Sequence, residues 1–449
     1  MRTAYVIGGG VLVAVLLLIA QAAGRRILES EVEPASAIPP EVRSTAAAKV
    51  HESFLYGRVT TVAGVLYEGW LRWGGNEEAL WGHYFNGYKA KNPWLDLVPP
   101  EVIMERRSIN LFGVEVAQRE RPIDLGRFFM ARFGDIARLE ASRDDVRVTL
   151  KSGTVFELDR FAAGDFDDRL RVWDSRRGTV DLDSRQIRSI ELLPAPLSSA
   201  VANLLHGTVR TRQGDFSGLV QWDREACLGS DAIEGLATDG TVRLRFDTLR
   251  SIARHAQASV LLTLLDGRQI VLSGPRGRAN RGLYVDDSRY GRVLIAWDVF
   301  ERVDFSAARR SPAYGDFPPG HPLTGRVTTR SGRRLTGRLV YDLDESETTE
   351  TLDAPSGGVD YTIPFGLVAK IALPGLHESV QQAKVTLHSG ETLELESEGD
   401  LGEGNAGLLI FVDGRKRPEF VPWVEVGQVD FDRPLAVAPP ITPSAPTAP

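Results

Sequence analysis

Residues 70–94 carry the side chains whose types could do chemistry. Four of the eight tryptophans lie in this stretch. Aromatic rings with polar tips are suited to stacking against a glycan or to anchoring a protein interface. We predict a binding face formed by Trp70, Trp73, Trp81, His83, Tyr84, Asn86 and Trp94. The alternative is that these aromatic side chains fill a small core and cover the insertion that carries them.

The spacing of acids and nucleophiles does not indicate an enzyme. The neighbours Glu77 and Glu78, and likewise Asp167 and Asp168, are paired carboxylates. Glycoside hydrolysis, however, needs carboxylates that are separated in space, which adjacency in sequence does not supply. The GxSxG turn of serine hydrolases does not occur. We therefore predict a non-catalytic protein with no catalytic residues.

Metal and cofactor sites are not indicated either. The seven histidines are scattered, and the single cysteine, Cys227, excludes an intrachain disulfide. Residues 342–347 begin like a calcium loop, but Glu347 stands where the sharp turn needs glycine. We expect a solvated hairpin tip there. The glycines at 8–10 lack the third glycine of a dinucleotide fingerprint, so no cofactor is predicted.

The N-terminus predicts export. Arg2 precedes an uncharged run to Gly24, and Ala20-Gln21-Ala22 resembles a signal-peptidase site. The protein is expected to be periplasmic or extracellular. If the segment is not cleaved, residues 4–23 are long enough to anchor the chain in the inner membrane, and this is the only membrane contact that we predict. A net charge of −7 argues against nucleic acid as a partner.

Three stretches begin alike, which indicates an internal repeat. They are GlyArgValThrThr at 57–61, GlyThrValArgThr at 207–211 and GlyArgValThrThr at 325–329. Each is followed by a turn glycine and then a second glycine: Gly64 and Gly69, Gly214 and Gly218, Gly332 and Gly337. A second type of unit alternates with the first and opens at 148–153, 262–267 and 385–390.

Within these units apolar residues alternate with polar ones, as in half-buried hairpins. The sequence predicts an all-β protein of about six small β-barrel units in three pairs, after an N-terminal hydrophobic segment. The first unit is longer than its counterparts and contains the aromatic insertion. The predicted boundaries are 1–24, signal peptide or anchor; 25–54, linker; 55–193, barrel pair 1; 206–305, barrel pair 2; 306–323, linker; 324–432, barrel pair 3; and 433–449, disordered proline-rich tail.

The first type of unit resembles the opening half of SH3-like and Sm-like small barrels. The matching positions are Val327, Thr329, Gly332, Leu335, Gly337, Leu339, Tyr341 and Asp342. Sm-like proteins would imply RNA binding and ring assembly. The basic ArgGly loop of their second half is replaced here by the sequence at 246–252, and export removes that partner. The opening of the first unit also resembles uncharacterised secreted bacterial proteins, which implies no activity.

These observations lead to two functional hypotheses. The first is a non-catalytic extracytoplasmic scaffold that contacts another envelope protein through its tandem barrels. The alternative is a protein that binds glycan or peptidoglycan through the aromatic cluster at 70–94.

Overall fold

The structure is a computed structural model, and it describes residues 50–74, 77–99, 104–111, 114–122, 128–161, 164–196, 203–256, 258–273, 281–375 and 382–434. The hydrophobic segment at 1–24, with its possible anchor at 4–23, lies outside these residues, as do most of the 25–54 linker and most of the 433–449 tail. The described chain is all-β, as predicted, apart from one helical turn and short 3-10 turns. We call residues 50–196, 203–306 and 322–434 the first, second and third segments.

The first segment contains twelve strands and the helical turn α1 (Gly164–Asp167). The strands are β1 (Tyr56–Thr61), β2 (Leu66–Trp73), β3 (Tyr84–Tyr88), β4 (Met104–Leu111), β5 (Val114–Pro122), β6 (Phe128–Arg132), β7 (Ile136–Ala141), β8 (Asp145–Leu150), β9 (Val155–Asp159), β10 (Leu170–Asp174), β11 (Gly178–Leu182) and β12 (Ile187–Leu192).

The second segment contains ten strands. They are β13 (His206–Thr211), β14 (Gly214–Gln221), β15 (Ala232–Ala237), β16 (Gly240–Arg245), β17 (Leu249–Ala256), β18 (Ser259–Leu264), β19 (Gln269–Ser273), β20 (Leu283–Asp287), β21 (Gly291–Ile295) and β22 (Phe300–Ser306).

The third segment also contains ten strands. They are β23 (Thr324–Thr329), β24 (Arg334–Val340), β25 (Thr351–Ser356), β26 (Val359–Pro364), β27 (Val368–Ala372), β28 (Gln382–Leu387), β29 (Thr392–Glu396), β30 (Leu408–Phe411), β31 (Glu419–Val421) and β32 (Val426–Phe431).

The main sheets repeat one strand order. The first sheet runs β11-β10-β2-β1-β12-β7-β8-β9, and the third runs β31-β30-β24-β23-β32-β27-β28-β29, so corresponding strands take the same places. The second sheet contains the same order and adds the hairpin β15–β16 beside β19 and the third segment's hairpin β25–β26 beside β21. Each sheet ends in two edge strands, so in the described residues none closes into a barrel.

The repeated second glycine allows two strands to approach closely. A Cβ atom at Gly69 would lie 1.9 Å from the carbonyl oxygen of Trp173, and one at Gly337 would lie 2.1 Å from that of Phe411. The first of these contacts joins β2 to β10 and the second joins β24 to β30. No side chain fits at such a distance. These glycines therefore mark the places where two neighbouring strands of a sheet approach closely.

The described residues form two large hydrophobic clusters and a small third one of Val98, Val340, Leu343 and Leu409. One is built from the first segment and extends to Leu219 and Cys227 of the second segment and to Tyr314 and Phe317 of the connecting stretch. The other runs without interruption through the second and third segments. The connecting stretch 306–323 therefore packs against the first segment, because two of its aromatic rings lie in that core. Within the described ranges, no helix is both long and apolar enough to span a bilayer.

Candidate functional site

Two of the predicted binding residues, Trp73 and Trp81, lie inside the first segment's core. Their exposed fractions are 0% and 1%. The Trp73 ring packs edge-on against Phe85, with ring centroids 5.4 Å apart, and it lies 5.8 Å from Phe133. Rings buried to this extent stabilise the fold through packing. They present no surface to a ligand in this conformation.

His83 and Tyr84 lie where the first segment meets the second. The Nδ1 atom of His83 accepts a hydrogen bond from the backbone N–H of Ala79 at 2.9 Å, so the proton of a neutral ring is on Nε2. Nε2 lies 3.0 Å from the side-chain amide of Gln221, which satisfies it when the amide oxygen faces the ring. The ring of Tyr84 stacks under the guanidinium of Arg292 at 3.9 Å, and burial raises the pKa of Tyr84.

The other three predicted residues lie in separate places. Trp70 is half-buried on the outer face of the first sheet. Asn86 donates from its backbone N–H and its side chain to one carboxylate oxygen of Asp165, at 2.7 and 2.8 Å, and so holds the helical turn α1. Trp94 packs edge-on against Phe411 of the third segment, at 5.9 Å between ring centroids. The seven residues thus do not share one face, and their role in binding stays a prediction.

The insertion in the first segment is fastened to the third segment through a buried ion pair. The ammonium of Lys89 lies 2.7 Å from Asp344 and 3.4 Å from Glu350, and the side chains of Lys89 and Asp344 are only 6% and 5% exposed. Asn92 adds a hydrogen bond of 2.8 Å to the carbonyl oxygen of Leu343. The residues around Lys89 thus belong to an internal interface.

These contacts correct the expectation for residues 342–347. We expected a solvated hairpin tip, but Asp342, Asp344 and Glu347 are all buried. The turn is tight, with positive φ at Asp342 and at Leu343, as in the primed turns that join antiparallel strands. Asp344 is paired with Lys89 of the insertion, Glu347 accepts hydrogen bonds from the hydroxyls of Ser152 and Thr154, and Asp342 accepts one from the backbone N–H of Ala406. In the part of the chain that the structure describes, no group of acids, histidines and cysteines has the arrangement of a metal site.

Burial and the charges of neighbouring groups shift the pKa values of Lys89 and Glu350 in opposite directions. Burial disfavours the charged form of Lys89, but the attraction of Glu350 and Asp344 outweighs it, so the pKa of Lys89 is raised. Burial raises the pKa of Glu350, and Lys89 partly offsets that effect. Burial also raises the pKa of Glu345 well above its ordinary value, and repulsion from Asp344 adds to it. Burial therefore disfavours the charged forms of Glu345 and Glu350, while ion pairing favours the charged form of Lys89.

Glu77 lies in a second group of carboxyl groups, close to Asp165 and Asp168. Burial, together with the charges of Asp165 and Asp168, raises the pKa of Glu77 to about 8, and the charge of Arg292 opposes them. The Oε2 atom of Glu77 is buried and has no hydrogen-bond partner within the described residues. The sequence suggested pairs of adjacent acids, whereas folding gathers acids from the β2–β3 connection and from α1.

In the described residues, two strands of the insertion pair only with each other. β4 and β5 form a hairpin of their own, with pairs that run from Met104 opposite Pro122 to Leu111 opposite Val114. We call residues 104–122 the β-arm. The strands β3 and β6 precede and follow it, and their outer ends carry Tyr88 and Phe128. These residues pair across the strands, are 47% and 52% exposed, and have rings that meet edge-on at 5.7 Å.

In the described part of the chain, the two strands of the β-arm pair only with each other. The arm is about 25 Å long for strands of this length. Both of its outer edges lack a strand partner in the described part of the chain, so their backbone groups are available to a strand of another protein. The exposed aromatic pair lies on β3 and β6, the strands that precede and follow the β-arm in the chain. Of the residues that the sequence predicted for binding, Trp73, Trp81, His83 and Tyr84 are buried, and Trp70, Asn86 and Trp94 are half-buried.

Comparisons with known proteins give no family for this chain. No protein-family model matches it, and no curated protein matches it. Among solved structures, one described as a streptogramin B lyase covers 86% of this chain and 95% of its own, at 9% sequence identity and a TM-score of 0.10. A likeness at that TM-score carries no argument about fold or activity.

Proposed function

We propose that this protein is a non-catalytic extracytoplasmic scaffold that contacts another envelope protein through the β-arm and the Tyr88–Phe128 pair. The observation that supports this function is the inserted hairpin, which pairs with no other strand of the described chain, together with two exposed aromatic rings on the strands that precede and follow it. The body of the molecule then serves to hold the insertion in place, through Lys89 and Trp94.

In the described chain the β-arm is an isolated two-stranded hairpin, and such a hairpin in water is marginally stable at best. The sequence at 109–116 is mostly apolar, and burying apolar side chains in an interface is favourable. Strand addition at an open edge supplies main-chain hydrogen bonds, and aromatic anchors supply much of the affinity in protein interfaces.

The experiment is affinity capture of the tagged protein from crosslinked envelopes of its native host. Three forms are compared: the wild type, a variant in which a short glycine–serine linker replaces residues 104–122, and the double variant Tyr88→Ala/Phe128→Ala. We expect a specific partner with the wild type, no partner without the β-arm, and at least tenfold weaker capture by the double variant, as for the loss of hot-spot aromatics.

A matched control is Phe161→Ala. Phe161 is a single aromatic residue of the same segment, 80% exposed, and it lies outside the β3–β6 hairpin. This variant should capture the partner as the wild type does. The same proteins captured by all four forms would exclude the β-arm as the contact site. A wild type that captures nothing above a mock sample would refute the scaffold function itself.

The location is part of the proposal. The charge and hydropathy pattern of residues 1–24 supports export to the periplasm or beyond, with cleavage after the hydrophobic segment or retention of residues 4–23 as an anchor. Fractionation of the host followed by N-terminal sequencing tests it. A mature chain that begins near residue 23 would show cleavage. An intact chain in the soluble cytoplasmic fraction would overturn the location.

We also propose that the three segments are pairs of SH3-like or Sm-like small-barrel units, six in all. Without β4 and β5, thirty strands remain, which divide into six consecutive groups of five. A 3-10 turn stands directly before the fifth strand in five of the groups: Phe133–Asp135, Ser184–Gln186, Phe246–Thr248, Phe365–Leu367 and Trp423–Glu425. This recurrence supports duplication of a five-stranded unit. In each segment the fifth strands of the two groups pair with each other: β7 with β12, β17 with β22, and β27 with β32. An experimental structure without these pairings would contradict the proposal.

A further inference from the structure

The outer face of the first sheet carries a row of three aromatic residues. Tyr56 of β1 pairs with Trp70 of β2, and Trp70 pairs with Trp173 of β10, so the three lie side by side across adjacent strands. All three are half-buried, and Trp70 also packs against the first segment's hydrophobic cluster. The guanidinium of Arg72 lies 5.1 Å from the centre of the Trp173 ring. The rings of Tyr56 and Trp70 meet edge-on at 5.4 Å. The row spans roughly 10 Å between its outer strands.

The equivalent row of the second segment is covered by this chain. Its members are His206, Leu219 and Asp286, which occupy the same register positions on β13, β14 and β20. Leu219 is buried in the hydrophobic cluster of the first segment. Burial raises the pKa of Asp286 to about 6, against the pull of Arg132 from the first segment.

The third segment repeats the arrangement with Thr324, Arg338 and Phe411. There Trp94 of the insertion packs against Phe411, and the guanidinium of Arg338 lies 5.5 Å from the Trp94 ring. In both segments a piece of the first segment therefore lies on the row. The first segment's own row keeps three half-buried aromatic rings in the described structure.

The polar groups beside the row identify the chemistry that fits it. Arg58 lies between Glu68, at 3.0 Å, and Glu191, at 3.3 Å, and all three side chains are about two-fifths exposed. The hydroxyl of Tyr56 donates to Glu68 at 3.3 Å. Since one cation is shared by two carboxylates, the rim does not attract polyanions. The guanidinium and the carboxylates offer hydrogen-bond donors and acceptors next to aromatic ring faces. This combination suits a ligand that carries hydroxyl groups around an apolar face.

We propose that Tyr56, Trp70 and Trp173 form a binding site for a neutral glycan, with a length that suits about two sugar rings. The C–H faces of the sugars pack against the indole rings, and the hydroxyl groups bond to Glu68, Arg58 and Glu191. Of the residues predicted at 70–94, only Trp70 takes part; Tyr56 and Trp173 lie outside that stretch. This function goes beyond the protein contact of the β-arm and does not depend on it.

The test measures binding of cellohexaose, chitohexaose and maltohexaose to the purified chain by calorimetry and tryptophan fluorescence. We expect at least one of them to bind, and Trp70→Ala and Trp173→Ala to weaken its binding at least tenfold. Bound glycan should also protect the wild-type tryptophans from acrylamide quenching. That readout does not depend on whether the variants fold.

Two controls separate this site from the others. Trp94→Ala removes an indole that packs on Phe411 of the third segment's row, and it should leave glycan affinity unchanged. The variant without residues 104–122 should bind glycan as the wild type does. Affinity lost with Trp94→Ala but kept with Trp173→Ala would place the site in the insertion and overturn the proposal. The proposal also fails if none of the three glycans binds at millimolar concentration.

Discussion

Single buried charges hold the first and third segments together. Lys89 lies under the ring of Phe156, 4.7 Å from its centre, and pairs with two carboxylates of the third segment. Removing one partner from a buried ion pair leaves the other partners charged and unpaired in a poorly solvated place, which costs more than the pair contributed. This contact is therefore sensitive to substitution, although many ion pairs on the surface are not.

Lys89→Ala should destabilise the protein by about 3–5 kcal/mol, since Asp344 and Glu350 remain buried without their cation. Denaturant unfolding followed by far-UV circular dichroism measures it. Arg138→Ala is the matched control, because Arg138 and Glu140 form a pair that is about two-fifths exposed. The control should cost no more than about 1 kcal/mol. Equal losses in the two variants would show that the Lys89 pair is effectively solvated.

Glu77 should make stability depend on pH. Its pKa is raised in the folded protein to about 8, so folding favours the protonated form. The stabilising contribution is complete below the ordinary pKa of a glutamate and is lost as the pH rises through about 8. Glu77→Gln keeps the shape of the side chain and cannot ionise. It should be more stable than the wild type at pH 9, by on the order of 3 kcal/mol, and similar to it at pH 4.

Melting temperatures of the two proteins between pH 4 and pH 9 check this prediction. The curves should diverge as the pH rises. Parallel curves would mean that Glu77 is solvated and that its neighbours Asp165 and Asp168 do not act on it.

At the scale of strands, glycines lie where two neighbouring strands of a sheet approach most closely. Gly337→Ala would place a methyl group 2.1 Å from the carbonyl oxygen of Phe411, so β24 and β30 would have to separate. We expect a loss of about 2–4 kcal/mol, as for other strained core positions. Gly315→Ala is the control, since no atom lies within 4 Å of the added carbon and its φ is not in the left-handed region. Urea unfolding of both variants measures the difference, and equal midpoints would contradict the prediction.

The same strands explain how much could be predicted from the sequence. The spacing of glycines and alternating apolar residues predicts hairpins, and the all-β fold follows from it, because both signals are local. The burial of Asp344 could not be predicted in this way, since its cation, Lys89, lies 255 residues away in the chain. The same holds for His83, whose partner Gln221 belongs to another segment. A local pattern shows which strands are amphipathic, but it does not show which surface covers each face of a strand.

For the molecule as a whole, the second and third segments share one sheet. β26 of the third segment pairs with β21 of the second, from Arg292 opposite Thr362 to Ile295 opposite Val359. One hydrophobic cluster continues across this seam. We therefore expect the two segments to unfold as a single cooperative unit, even though the sequence repeats suggest separate modules.

Excised fragments should reveal this dependence. The fragment 322–434 loses the strand that pairs with β26 and exposes Val359 and Tyr361, which are buried in the intact chain. We expect it to show no cooperative transition in calorimetry. The fragment 203–434 keeps the seam, so it should unfold in one transition, at a lower temperature than residues 48–434, because it lacks Lys89. If the fragment 322–434 melted cooperatively at the same temperature as 203–434, the seam would contribute little, and the segments would fold as independent modules.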